Sequence, residues 1–291
     1  MKVHVEDIMD TKLLKRLREE TGAGMLECKK ALEKTNDHYE EALKILTETV
    51  HKTEGNARVA SKGLTNIVIQ GDEAILYEVN AETDFVAKNE HFQKLMKELG
   101  INLVASKVNN VKDALKFVID GVTVEEKIQR TSAIIKENAY LRRFYRVKKT
   151  MHQGFGSYVH LGGKISTLVI LCDDQKDIAN SLAMQVAANS PIYIHPELID
   201  QDTINYEKFM YEKTNGSFDE QKFKNHLNDL CLLTQPYIKN PSITVGELLK
   251  EKEMDVIDFF RFELGQGIEN KLNCRLDVPC DGSDITVMPI Y

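Results

Sequence analysis

The residue types that perform catalysis or bind metals occur in this chain, but their spacing matches none of the common motifs. The five cysteines include no C-x-x-C pair and the eight histidines are dispersed, so neither a zinc site nor a redox pair is indicated. Gly162-Gly163-Lys164 is followed by Ile165 instead of Ser or Thr, which argues against a phosphate-binding loop. We therefore expect no catalytic residue, no metal site, no cofactor and no direct nucleotide binding.

One short stretch has instead the composition of a protein-contact loop. Asp84 and Phe85 follow a strand-like run that ends near Asn80, and a helix is predicted from Glu90 with Asn89 as its N-cap. An acidic residue beside a large aromatic ring on a short connection is a candidate wedge for another protein. The alternative is that Phe85 packs under its own helix as a core residue, as most phenylalanines do.

The N-terminal part is predicted to be a small helical domain. Apolar residues recur at helical spacing in three segments between about residues 13 and 50, separated by turn-forming residues such as Gly22 and Asn36-Asp37. Each segment is too short to be stable as an isolated helix, so the three must pack together. These patterns predict a three-helix domain.

The rest of the chain is predicted to contain two units of a strand pair followed by a helix. The first unit covers residues 65–105 and the second covers residues 157–188, with glycine in both tight turns. This weak internal duplication predicts an α+β fold in which helices cover antiparallel sheets. The predicted domains are a three-helix domain at residues 1–55, a linker and first core subdomain at 56–150, and a second core subdomain at 151–291 with a helical hairpin at about 202–233.

A basic and aromatic strand is predicted between the two units, at residues 142–149. One interpretation is an RNA-associated scaffold, because aromatic rings stack on bases while cations meet phosphates. The other is a solvated outer face of a strand, which the acidic balance of the chain favours.

Composition and charge set further limits on the function. The chain has 291 residues, 29% of them charged, and a net charge of −7, which does not fit a protein that wraps nucleic acid. The N-terminus has acidic residues where a secretory signal has its apolar core. The longest apolar run, Ile165–Cys172, is far shorter than the roughly 20 residues of a membrane helix. We expect a cytoplasmic protein with no membrane and no nucleic-acid partner.

Two long runs resemble the signature segments of the bacterial elongation factor Ts family. The first is Thr21–Leu32, with the sequence TGAGMLECKKAL, and the second is Glu78–Asn89, with the sequence EVNAETDFVAKN. Shorter segments are similar to the same family in the same order along the chain: 138–144, 158–160, 235–237, 244–251 and 261–269. The resemblance covers nearly the whole chain.

The resemblance implies a guanine nucleotide exchange factor without catalytic residues of its own. Members of this family bind elongation factor Tu with GDP, the GTPase that delivers aminoacyl-tRNA to the ribosome, and promote GDP release so that GTP can load. The implied fold has an N-terminal domain like a ubiquitin-associated domain, a duplicated α+β core and a helical hairpin. The hairpin of this chain is shorter than the commoner bacterial form, and its C-terminal segment differs from the usual helical tail.

The resemblance also assigns partner contacts residue by residue. The segment that displaces the partner's Mg²⁺ corresponds to Thr83, Asp84, Phe85 and Val86. The other contacts correspond to Met25 and Leu26 in the N-terminal domain and to His160, Leu161 and Gly162 at the tip of the second core unit. Leu161 stands where the family usually has glycine, so a different turn is expected at this tip.

Overall fold

The structure, a computed structural model, describes residues 25–51 and 60–266, together with Leu13, Arg16 and Leu17. For residues 25–27 and 46–51 it describes the backbone only. Helices and antiparallel strand pairs alternate along the chain, which confirms the predicted α+β class.

We number the elements in chain order. The α-helices are α1 (Met25–Lys34), α2 (Tyr39–His51), α3 (Glu90–Ala105), α4 (Val111–Lys116), α5 (Val124–Ile135), α6 (Lys176–Asn189), α7 (Gln201–Asn215), α8 (Glu220–Asp229) and α9 (Val245–Glu251). The strands are β1 (Lys62–Gln70), β2 (Glu73–Ala81), β3 (Val118–Ile119), β4 (Val122–Thr123), β5 (Ala139–Lys148), β6 (Gly154–His160), β7 (Ile165–Leu171), β8 (Pro236–Tyr237), β9 (Asn240–Thr244) and β10 (Val256–Glu263). The two larger sheets have the strand orders β1-β2-β5 and β10-β7-β6.

The described residues fall into two compact units. The first contains residues up to Leu64, Tyr77–Tyr145 and 264–266, and the second contains Thr65–Leu76 and Arg146–Glu263. Strands β1, β2 and β5 each contribute residues to both units.

The helices α1 and α2 form a small core in the first unit. Cys28, Ala31 and Leu32 of α1 pack with Ala42 and Leu43 of α2, and all five side chains are buried. They are among the apolar residues at helical spacing from which helices were predicted in this part of the chain. The predicted turn between the helices is also present, because the backbone of residues 36 and 37 is left-handed.

The remaining helices of the first unit bury an apolar stripe at helical spacing. Helix α3 buries Phe92, Leu95, Leu99 and Leu103, and α5 packs against both α3 and α2. The hydroxyl of Tyr77 on β2 donates a hydrogen bond to the carbonyl oxygen of residue 96 at 2.6 Å, which joins the sheet to α3. Helix α3, which follows the segment that contains Phe85, is therefore fixed to the core of the first unit.

In the second unit, α6 lies on one face of the sheet formed by β6, β7 and β10. Gly156 makes this close approach possible, because a Cβ atom at its position would stand 2.0 Å from the backbone of Ala179. The predicted helical hairpin is formed by α7 and α8, with a bend after Gly216. Its second helix ends at Asp229, earlier than the predicted end at residue 233, and a short 3-10 turn at Leu232–Thr234 follows.

No helix within residues 25–51 and 60–266 is both long enough and apolar enough to cross a membrane.

Candidate partner-contact site

Phe85 lies on a 3-10 turn, Asp84–Lys88, that connects β2 to α3. Its side chain is 84% exposed, so the structure rules out the alternative in which it packs in the core. The next side chain, Val86, is 2% exposed and points into the first unit. The turn therefore presents an aromatic ring to solvent while its neighbour fixes the backbone to the core.

The C-terminal end of this turn is held by the cap of α3. The side-chain oxygen of Asn89 accepts a hydrogen bond from the backbone N–H of His91 at 2.9 Å, as predicted for an N-cap. The backbone N–H of Asn89 donates to the carbonyl oxygen of Val86 at 2.9 Å, and the side-chain amide of Gln93 donates to the carbonyl oxygen of Ala87 at 3.0 Å. The chain leaves the turn in one defined direction.

The N-terminal end is held by two side chains that the sequence interpretation missed. Glu137 accepts hydrogen bonds from Thr83, and Asn138 donates to the carboxylate of Glu82. Both lie just before β5, more than 50 residues away along the chain. Asn138 begins one of the family-like segments, and this was the only sequence signal that marked it.

The second predicted contact lies at the turn between β6 and β7, which the sequence placed correctly. His160 ends β6, and Leu161 and Gly162 both have left-handed backbone, with φ of 48° and 66°. Leu161 is 69% exposed. The backbone N–H groups of Gly163 and Lys164 both donate to the carbonyl oxygen of His160 at 3.1 Å and close the turn.

The third predicted contact, Met25 and Leu26, lies at the start of α1. Their side chains fall outside the described residues, so only the helical backbone at these positions is known.

Four cations of the basic strand are paired with carboxylates on β2, and Lys149 donates to the carbonyl oxygen of Gln153. Arg142 and Arg143 bind the fully buried Glu78, at 3.0 Å and 2.7 Å. Arg146 and Lys148 bind Glu73. The hydrogen bond from Lys148 lowers the pKa of the Glu73 carboxyl, and the hydrogen bond from Arg146 lowers it further. These four cations are therefore engaged by carboxylates of the protein itself. The expectation of a solvated outer face is therefore wrong for the three arginines, and nothing here favours an RNA surface.

Two observations on the described residues concern side chains that could bind a metal ion or act as a nucleophile. The described residues contain no group of three or more His, Cys, Asp or Glu side chains that could hold a metal ion. Burial raises the pKa of the Cys231 thiol to about 11, so this cysteine is protonated at neutral pH. The turn that carries Phe85 combines a mostly exposed aromatic ring with a backbone that is held at both ends.

The turn that carries Phe85 lies within the part of the chain that matches a known protein family. The family model described as elongation factor TS matches residues 82–266, which begins beside the turn. The chain is 40% identical over 278 residues to elongation factor Ts of Acholeplasma laidlawii, covering 90% of this chain and 94% of the relative. It is 38% identical over 267 residues to elongation factor Ts of the Aster yellows witches'-broom phytoplasma, covering 87% and 97%. With a matching family model over most of its length and relatives that align nearly end to end, the chain belongs to the elongation factor Ts family.

Proposed function

We propose that this chain is a translation elongation factor that binds elongation factor Tu with GDP and promotes GDP release, so that GTP can load. The observation that supports this most is Phe85, an 84% exposed aromatic side chain on a turn that is fixed at both ends. Aromatic side chains on rigid elements are typical of the few residues that carry most of the energy of an interface. The proposed role needs no reacting group on this chain.

The wedge consists of Asp84 and Phe85, with Thr83 and Val86 as its supports. Phe85 inserts between side chains of the GTPase near the nucleotide-bound Mg²⁺, and the resulting displacement weakens the hold on the ion and on the phosphates. Val86 is buried in this chain, so it supports the turn and Phe85 makes the contact. The division of roles follows from the exposure of the two side chains.

Exchange by this route is a matter of coupled binding. If the chain lowers the affinity of its partner for GDP by some factor, GDP must lower the affinity of the partner for the chain by the same factor. Binding energy gained at other contacts is then available to distort the nucleotide site. A ring presented on a flexible loop would lose part of that energy in becoming ordered.

Two further surfaces supply the contacts that do not distort the nucleotide site. One is formed by Met25 and Leu26 and the other by His160, Leu161 and Gly162. The exposed side chain of Leu161 and the half-buried ring of His160 at the end of β6 support the second surface. The first is proposed from the family resemblance of residues 21–32.

The proposed domains are a helical domain like a ubiquitin-associated domain at residues 1–55, then core subdomains at 56–150 and 151–291. A duplicated origin of the core is supported by the order of elements, because β1, β2 and α3 are followed later by β6, β7 and α6. The α7–α8 hairpin is an insertion in the second subdomain.

The proposed function is tested by the release of a fluorescent GDP analogue from purified elongation factor Tu. Addition of the full-length chain with excess unlabelled GDP is expected to accelerate release, and the rate should saturate with the concentration of the chain. An unaltered release rate at every concentration would exclude the proposal. Bovine serum albumin at the same mass concentration serves as the protein control.

A further inference from the structure

The connection between α5 and β5 holds the N-terminal end of the Phe85 turn through side chains. Helix α5 ends in a left-handed residue, Lys136, with φ of 58°, and Glu137 and Asn138 follow before β5 begins. Ser132 fixes this connection, because its carbonyl oxygen accepts from the backbone N–H of Glu137 at 3.3 Å and its hydroxyl oxygen accepts from that of Ala139 at 3.0 Å. The two side chains therefore project from a rigid base.

Glu137 binds Thr83 through both of its carboxylate oxygens. One oxygen accepts a hydrogen bond from the backbone N–H of Thr83 at 2.9 Å, and the other accepts from its hydroxyl at 2.5 Å. Hydrogen bonds to an ionised carboxylate are stronger than those between neutral groups. Two bonds to one residue fix both the position and the rotation of the backbone immediately before Asp84.

Asn138 makes a parallel contact with the residue before Thr83. Its side-chain amide donates to the carboxylate of Glu82 at 2.5 Å, and its backbone N–H lies 3.4 Å from the same oxygen. Strands β2 and β5 are neighbours in the sheet, so these contacts extend the pairing of the two strands past the end of β2. Glu137 and Asn138 thus hold the two consecutive residues Thr83 and Glu82.

We propose that Glu137, assisted by Asn138, is a positioning residue for nucleotide exchange. This inference rests on the proposed function. Because 84% of the Phe85 side chain is exposed, its direction is set by the backbone that carries it and not by packing of the ring. Val86 and Asn89 fix that backbone on one side of the ring, and Glu137 fixes it on the other through Thr83. Without Glu137 the turn has to become ordered as Phe85 inserts at the nucleotide site of the bound GTPase, so the cost falls on the exchange step and not on the initial binding.

The principal variants are Glu137→Ala, which removes both hydrogen bonds to Thr83, and Thr83→Val, which removes only the bond from the hydroxyl. Glu137→Ala is expected to lower the limiting rate of GDP release about five- to tenfold, the size of the ordering cost of one mobile segment, and Thr83→Val by a smaller factor. Thr83→Ser keeps the hydroxyl and should restore the rate of the wild-type chain. Glu125→Gln is the matched control, since it removes an exposed carboxylate of α5 that does not touch the loop.

The dependence of the rate on concentration separates positioning from a merely structural role. A variant that is partly unfolded has fewer active molecules, which raises the half-saturating concentration and leaves the limiting rate unchanged. Poor positioning of Phe85 lowers the limiting rate itself. A change in the half-saturating concentration alone, in both Glu137→Ala and Thr83→Val, would overturn the inference.

The double variant with Phe85→Ala supplies the decisive comparison. If Glu137 acts through Phe85, Glu137→Ala has no further effect on the limiting rate once the ring is absent. Equal effects with and without the ring would overturn the inference. If the wild-type chain and Phe85→Ala differ as proposed but Glu137→Ala and Thr83→Val behave like Glu125→Gln, the positioning role fails while the exchange function stands. If the wild-type chain does not accelerate release at all, the proposed function itself fails.

Discussion

The two turns that we propose as contacts for the GTPase are held in place in different ways. The Phe85 turn is fixed by side chains, with Glu137 and Asn89 at its ends and Val86 in the core. The turn at Leu161 is closed by two backbone bonds to the carbonyl oxygen of His160, and Thr65 holds it further by donating its backbone N–H and its hydroxyl to the carbonyl oxygen of Gly163.

Backbone strain separates the two turns further. Residues 83–89 contain no left-handed residue, whereas Leu161 has φ of 48° without being glycine. A left-handed conformation costs a side chain such as leucine roughly 1–2 kcal/mol. The first turn therefore presents a ring from a relaxed and supported backbone, and the second keeps an apolar side chain in place at a cost. The comparison indicates a rigid wedge at one turn and a surface contact at the other.

Shortening Val86 tests the support of the first turn and should have the larger effect on stability. Val86→Ala removes two buried methyl groups and is expected to destabilise the chain by roughly 2 kcal/mol, measured by urea unfolding. It should also slow GDP release, because the turn loses its attachment to the core. Ala87→Gly, at a half-buried neighbour, is the comparison variant for local flexibility. If Val86→Ala released GDP at the wild-type rate, the turn would not depend on its side-chain supports.

Replacing Leu161 with glycine tests the strain in the second turn and should have a smaller effect. Leu161→Gly relieves the left-handed strain, which stabilises the folded state. Glycine also gives the unfolded chain more conformational freedom, which opposes that gain. The net stabilisation is expected to be about 0.5–1 kcal/mol. Thermal unfolding measures this gain. Leu161→Ala removes the same contact surface but keeps a Cβ atom, so it should lower exchange equally without the gain in stability. A destabilised Leu161→Gly chain would show that the turn is not strained.

Local sequence signals predicted most of the elements because those signals act over a few residues. Asn89 was identified as the cap of α3 from its residue type and its position before the predicted helix. Alternation and turn residues located β6 and β7. The short elements α4, β3 and β4 were missed, since segments of two to six residues carry too little periodicity to be recognised.

The contacts that define the site depend on residues far apart in the chain, and these could not be predicted. Phe85 has the same local pattern whether it is buried or exposed, so only the fold decides between them. Glu137 reaches Thr83 across 54 residues, and Arg142 reaches Glu78 across 64. Pairings of this kind between β5 and β2 give four cations of a strand that appears basic in the sequence carboxylate partners in the fold. Long-range partners of this kind become visible only once the sheet order β1-β2-β5 is known.

The release of fluorescent GDP from elongation factor Tu, measured with saturating amounts of the wild-type chain and of Phe85→Ala, tests the role of the wedge most directly. Loss of an exposed aromatic anchor of an interface costs about 2 kcal/mol or more, so the variant should release GDP roughly thirtyfold more slowly. Its thermal stability should match that of the wild-type chain, because the ring is 84% exposed. Met151→Ala, which removes an equally exposed apolar side chain outside the proposed contacts, should exchange normally. Wild-type exchange by Phe85→Ala would contradict the wedge.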